Sequence, residues 1–137
     1  MIFKTILILM INFTEIYKLN HITDLKWNNR VLVIRDNDKI DLPIKINPFI
    51  EEFNERDFII VFAKNQNTFI QNRIMSVNFS NSIYKKIQNI DSNQYFILIG
   101  KDGQVKKSYT SETEIEKIFS DVDKMPMRKY EMITRKK

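Results

Sequence analysis

Apolar residues in this chain gather into a few short uninterrupted runs divided by polar stretches, and the runs are rich in β-branched side chains. Val31-Leu32-Val33-Ile34 is the first, ending at Asp36-Asn37-Asp38. A run of that length with no polar alternation predicts a strand buried on both faces, followed by a loop. Asn47-Pro48 predicts a helix start, with Asn47 as cap and Pro48 in the first turn, carrying Phe49, Ile50 and Phe53 toward Asn54. Phe58 to Phe62 repeats the buried-strand pattern, whereas Ile70 to Phe79 alternates weakly and reads as an edge strand or an irregular connection. Ser80 is the expected cap of a helix bearing Ile83, Tyr84, Ile87 and Ile90, with Phe79 stapling its start. Tyr95 to Ile99 predicts another strand, and Asp102-Gly103 a tight hairpin returning through Val105 to Tyr109. Ser111-x-x-Glu114 has the spacing of a capping box before the amphipathic stripe Ile115, Ile118, Phe119 and Val122.

The resulting order is β, α, β, an irregular segment, α, β, β, α. It predicts an α/β fold: a three-layer sandwich with a mixed central sheet and helices on both faces. A βαβ half joined through a helix to a ββα half is the thioredoxin-like arrangement. Residues 25–132 are assigned to this domain, residues 1–20 to an apolar N-terminal segment and 133–137 to a basic tail. Within the first of these, Lys4 precedes the apolar run Thr5 to Ile11, which has the length of a signal-peptide core and falls short of a membrane span. Export to the periplasm or the exterior is the expectation, although no Ala-x-Ala cleavage site follows.

Charge changes the picture little. The net charge of +5 arises within residues 124–137, where Lys124, Arg128, Lys129, Arg135, Lys136 and Lys137 face one acid, Glu131, so the body is neutral. Nucleic acid is therefore not the first expected partner, and membrane contact is expected only through an uncleaved N-terminal segment; an adaptor whose basic tail takes nucleic acid or anionic membrane is the second alternative to a non-catalytic binding domain. With no Cys and a single His, His21, the 137-residue chain has no thiol nucleophile, thiolate zinc site or multi-histidine metal site. His21 lacks an evident triad partner and reads as a surface residue.

The candidate chemistry lies in three places. Met125-Pro126-Met127-Arg128 follows the last expected helix, with Pro126 stopping or restarting it and the methionines packing inward. Its functional alternative makes Arg128 a fork for a carboxylate or phosphate, beside Lys101 and Arg30. Met125, Met127 and Met132 have the soft donors that Cu(I) takes, but no His or Cys supports them, and no cofactor is expected. Asp36, Asp38 and Asp41 form an acidic loop after the first strand, which raises a metal-dependent phosphatase as the enzyme alternative. Trp27 and Arg30 are candidates for a stacked pair, and Arg56-Asp57 for a buried ion pair. A protein or a small anionic ligand is the expected partner.

Four short segments carry a resemblance. Leu25-Lys26-Trp27-x-x-Arg30, Glu55-Arg56-Asp57, Gly100-Lys101-Asp102-Gly103 with Val105-Lys106, and Met125-Pro126-Met127-Arg128-x-x-Glu131-Met132 occur in that order. In this respect the chain resembles the bacterial domain-of-unknown-function family 4174, related to a domain of animal extracellular sushi-repeat and coiled-coil-domain proteins. The resemblance implies a thioredoxin-like, peroxiredoxin-related fold, often behind a signal peptide, with no established reaction. In such folds the reactive cysteine follows the first strand. The corresponding stretch, Arg35 to Lys39, has none, which excludes thiol-disulfide exchange by this chain unaided.

Overall fold

The continuous apolar runs form the middle of a six-stranded sheet. The computed structural model describes residues 16, 18–35 and 45–135. Strand β1 (Arg30–Arg35) pairs in parallel with β2 (Phe58–Lys64) and antiparallel with β5 (Phe96–Ile99). Strand β3 (Asn67–Ile70) and the two-residue β4 (Arg73–Ile74) extend the sheet beyond β2, and β6 (Val105–Tyr109) closes the other edge, giving the order β4-β3-β2-β1-β5-β6. The helices are α1 (Ile50–Glu55), α2 (Val77–Ile87), α3 (Ile115–Asp123) and α4 (Pro126–Arg135), with 3-10 turns at Ile22–Leu25 and Asn47–Phe49. Among the described residues no helix is long and apolar enough to cross a membrane.

Strand alternation divides the core into two. Val31, Val33, Val61 and Ile97 point to one face, where Phe79, Ile83 and Ile87 of α2 cover them. Leu32, Ile34, Phe58 and Leu98 point to the other, against Phe53 of α1 and Ile115, Phe119 and Val122 of α3. The molecule is thus the expected three-layer α/β sandwich with a mixed sheet and helices on both faces.

Several local expectations are corrected. Ser76, not Ser80, caps α2 by accepting from the Phe79 amide at 3.1 Å. Ser80 is buried one turn later, 2.7 Å from the Thr68 hydroxyl. Asn47 is no cap, because Ile46 is the N-cap of its 3-10 turn and no side chain caps it. Likewise the Ser111/Glu114 box does not form: Glu114 occupies the N-cap of α3 without a side-chain bond. The Asp-Gly hairpin is longer than two residues. Gly100 O accepts from Gly103 N at 3.0 Å, Gly103 takes a φ of 81°, and the ladder shifts register between Leu98 and Ile99.

Two tight hairpins follow β2, and the weakly alternating stretch Ile70 to Phe79 holds the second of them and the first turn of α2. Lys64 pairs with Asn67 and Ile70 with Arg73, so each loop has two residues, and all four loop residues have positive φ: Asn65 at 51°, Gln66 at 67°, Gln71 at 50° and Asn72 at 65°. Such loops ordinarily use glycine, and a side chain in this region is strained. Gln66→Gly is expected to raise stability by about 0.5–1 kcal/mol, read from urea unfolding; destabilisation would show that the Gln66 side chain makes a contact worth more than the strain.

The end of β1 is fixed by Arg35, whose guanidinium donates to four backbone carbonyls beyond the α2 axis: Ile87 O at 2.9 Å, Ile90 O at 3.1 Å, Asp91 O at 2.6 Å and Gln94 O at 3.1 Å. Ile87 is the last residue of α2, where a cation meets the negative end of the helix dipole, and the other three carbonyls belong to the turn that follows. Arg35→Ala is expected to cost about 2–3 kcal/mol in the same assay. A loss under about 0.5 kcal/mol would mean that water satisfies those carbonyls equally well.

Candidate functional site

Arg30, the Glu55–Asp57 segment, Lys101 and the Arg128–Glu131 segment converge at one end of the sheet. Arg30 is the first residue of β1, and its amide donates to Asp57 O across to the start of β2 at 3.0 Å. Asp57 holds the left-handed region, with φ at 56°, where α1 turns into β2. Lys101 stands at the tip of the β5–β6 turn. Arg128, Glu131 and Arg135 are spaced three and four residues apart, one face of α4.

Glu131 is the centre. Arg30 grips it with two bonds, NH1 to Oε1 at 3.1 Å and NH2 to Oε2 at 3.2 Å, and Lys101 Nζ donates to Oε2 at 2.7 Å. The same Lys101 Nζ donates to Asp57 Oδ2 at 2.7 Å, and Arg135 NH2 reaches that oxygen at 2.5 Å. On the other side Arg128 donates to Asp123 Oδ1 at 3.0 Å and Glu55 Oε1 at 3.1 Å, and lies 3.7 Å from Glu131 Oε1. Arg56 holds both oxygens of Asp123 at 2.9 and 2.8 Å while lying over the Phe119 ring. Five cations thus meet four carboxylates. Arg30 is 1% and Arg128 2% exposed, so their charges are removed from water and depend on these partners.

Burial is the largest single influence on Glu131, Asp57 and Asp123, and alone it would raise all three. The bonds from Arg30 and Lys101, from Lys101 and Arg135, and from Arg56 and Arg128 together outweigh it, leaving each carboxyl below its usual range. Burial likewise pulls Arg128 down, but Asp123 and Glu55 hold its guanidinium above the ordinary value. Carboxylates so acidified are weak bases and carry no proton to donate at neutral pH, so the cluster is poorly suited to acid-base catalysis. What it does chemically is fasten α4, the β5–β6 turn and the starts of the two parallel strands to one another. It also sits at the amino ends of β1 and β2, whereas ligands of open α/β sheets gather beyond the carboxyl ends.

The structure therefore brings Arg30, Lys101 and Arg128 together, inside the protein, with their donors taken by carboxylates. Arg128 is not an outward fork. Met125 packs against the α1/α3 core, Met132 is half-buried and Met127 is 41% exposed. Met127 and Met132 lie roughly 140° apart around α4, which does not place them as ligands of one ion. Among the described residues no group of three His, Asp or Glu side chains could hold a metal. Asp36, Asp38 and Asp41 lie outside the described residues.

Two expected pairs are rearranged. Lys26, not Arg30, lies over the Trp27 ring, 5.3 Å from its centre. Arg56 and Asp57 do not pair with each other, because the left-handed turn at Asp57 sends its carboxylate to Lys101 and Arg135 while Arg56 turns to Asp123. His21 is exposed and accepts from the Thr23 amide through Nδ1 at 3.1 Å. Sequence reasoning missed the partner acids Glu55 and Asp123, the centring role of Glu131, and Arg135, which it placed in the tail. The available signal was the spacing of Arg128, Glu131 and Arg135, which marks one helix face with charge instead of apolar residues.

No curated protein and no solved structure matches the chain. The sequence profile described as Domain of unknown function (DUF4174) does match, over residues 21–131, and the chain belongs to that family.

Proposed function

We propose that this chain is an exported thioredoxin-like interaction domain that works without redox chemistry, binding a partner protein through the outward face of α4. The parallel β1-α1-β2 unit, α2, and the antiparallel β5-β6 pair followed by α3 support the thioredoxin-like reading. In that reading the carboxyl end of β1 would carry a reactive thiol. The chain has no Cys, and Arg35 at that end is engaged with the carbonyls beyond α2. Export rests on the apolar run Thr5 to Ile11 behind Lys4.

The observation that carries the reading is the inversion of α4. Its charged side is buried against the body, while Met127, Tyr130 and Ile133 are 41, 70 and 64% exposed. Exposed apolar residues lined up on a rigidly held helix are what a partner's groove engages. A photo-crosslinking amino acid at Tyr130 is expected to give a protein adduct in the producing cells, with none from the same group at Lys107 on β6. The adduct's mass also shows whether residues 1–20 remain. No adduct from Tyr130, or equal adducts from both positions, would contradict the reading.

A further inference from the structure

A shallow groove of about 530 Å³ runs between α1 and α3. Its floor includes Phe49 and Phe119, whose rings meet edge to face with centres 5.9 Å apart. Glu52 and Glu116, both exposed, stand on its rim, and Lys124 lines it too, next to the start of α4. The outward face of α4 is the reverse in shape and charge: Met127, Tyr130 and Ile133 lie within roughly 120° of arc, with exposed Lys129 beside them. One chain therefore displays a convex apolar surface bearing a cation and a shallow groove in which two aromatic rings lie among three acids, Glu52, Glu116 and Asp123, and two bases, Arg56 and Lys124.

We propose that the occupant of each groove is the α4 of a second copy of this chain, exchanged reciprocally in a dimer. This rests on the reading of α4 as the interaction face and names its partner. A chain cannot fill its own groove, because Arg128, Glu131 and Arg135 hold the inner side of its α4 in the ion cluster. Groove and helix adjoin at Lys124–Pro126, so a two-fold arrangement lets both contacts form at once and closes the assembly. The expected Kd is on the order of 10 μM. Lys129 of each copy meets Glu52 and Glu116 of the other, which sets the register.

Sedimentation of the full 137-residue chain from about 1 to about 200 μM, a range bracketing such a Kd, tests this. The mass is expected to rise from 16.5 kDa toward twice that value. Tyr130→Glu lies at an exposed position and is expected to weaken association at least about tenfold with unfolding unchanged. The double variant Glu52→Lys/Glu116→Lys is expected to weaken it too, and adding Lys129→Glu to that double variant to restore it. A chain that stays at 16.5 kDa throughout, or one whose association ignores Tyr130→Glu, overturns the proposal. If the chain is monomeric while Tyr130 crosslinks to a different protein, self-association falls and the interaction-domain reading stands.

Discussion

Glu131→Gln is expected to lower the free energy of unfolding by about 3 kcal/mol. The substitution keeps the shape of the side chain and removes its charge, leaving Arg30, 1% exposed, without the only carboxylate that pairs with it among the described residues. Arg30 keeps one bond, from NH1 to Arg56 O at 2.9 Å, and Lys101 keeps Asp57. Neither replaces what is lost, because a guanidinium withdrawn from water needs an opposite charge as well as an acceptor. Urea unfolding monitored by circular dichroism measures the loss, and a change under about 1 kcal/mol would mean that water reaches the cluster and screens it. Because the acid joins α4 to the sheet, amide exchange in α4 should quicken more than that in β1.

The second large effect is the response to acid. Glu131, Asp57 and Asp123 are all held below their usual range, and so is Asp121, at about 2, where burial alone would raise it but Tyr109, Lys117 and Lys107 bind it. A depressed native pKa means that the unfolded chain takes up protons first as pH falls. The stabilisation is therefore complete above the unfolded values, 4.5 for Glu and 3.8 for Asp, and is lost as pH drops through the lower native ones. Stability should be insensitive to these groups above about pH 5 and fall steadily below about 4.5, with Asp121 still contributing near pH 2. At the other extreme, burial first and then the Asp121 carboxylate push the Tyr109 hydroxyl well above its ordinary value. The native state then holds a proton that the unfolded chain releases, so stability also falls above about pH 10. Thermal melts across this range check both limbs, and a melting temperature unchanged between pH 5 and 2 would contradict the acid limb.

How much of this was legible follows from what each residue is used for. Val31–Ile34 and Phe96–Ile99 are buried on both sides of the sheet and Phe58–Phe62 is buried or half-buried on both, so their composition alone marks them as central strands. The stripe of α3 was equally plain because its inward residues are apolar. The last helix was not, since α4 is built inside out: its inward positions Arg128 and Glu131 are charged and Met127, Tyr130 and Ile133 face solvent. Hydrophobic periodicity therefore leaves Pro126 as either a stop or a restart, and it is the first residue of a new helix. Caps failed for a different reason. Ser76 and Ser80 are chemically equivalent, and only the hairpin ending at Ile74 decides which one begins α2. At the site, Arg30, Lys101 and Arg128 stood out in the sequence, but exposure separates an anion-binding fork from an internal clasp. That depends on Glu131, Asp123 and Glu55, which reach them from 73 to 101 residues away or from the neighbouring helix.

Arg30, Lys101, Arg128 and Glu131 form an internal fastening and not a ligand site. A double-mutant cycle with Arg30→Met and Glu131→Leu tests it most directly. Glu131→Leu strands the buried Arg30 and Arg30→Met leaves Glu131 with Lys101 as its one close partner, whereas the double variant replaces both members of the pair with apolar groups. A coupling energy of about 2–3 kcal/mol is expected, with the double variant more stable than either single one. Losses that simply add, with coupling below about 0.5 kcal/mol, would contradict the clasp and return Arg30 and Glu131 to the candidates for an external ligand.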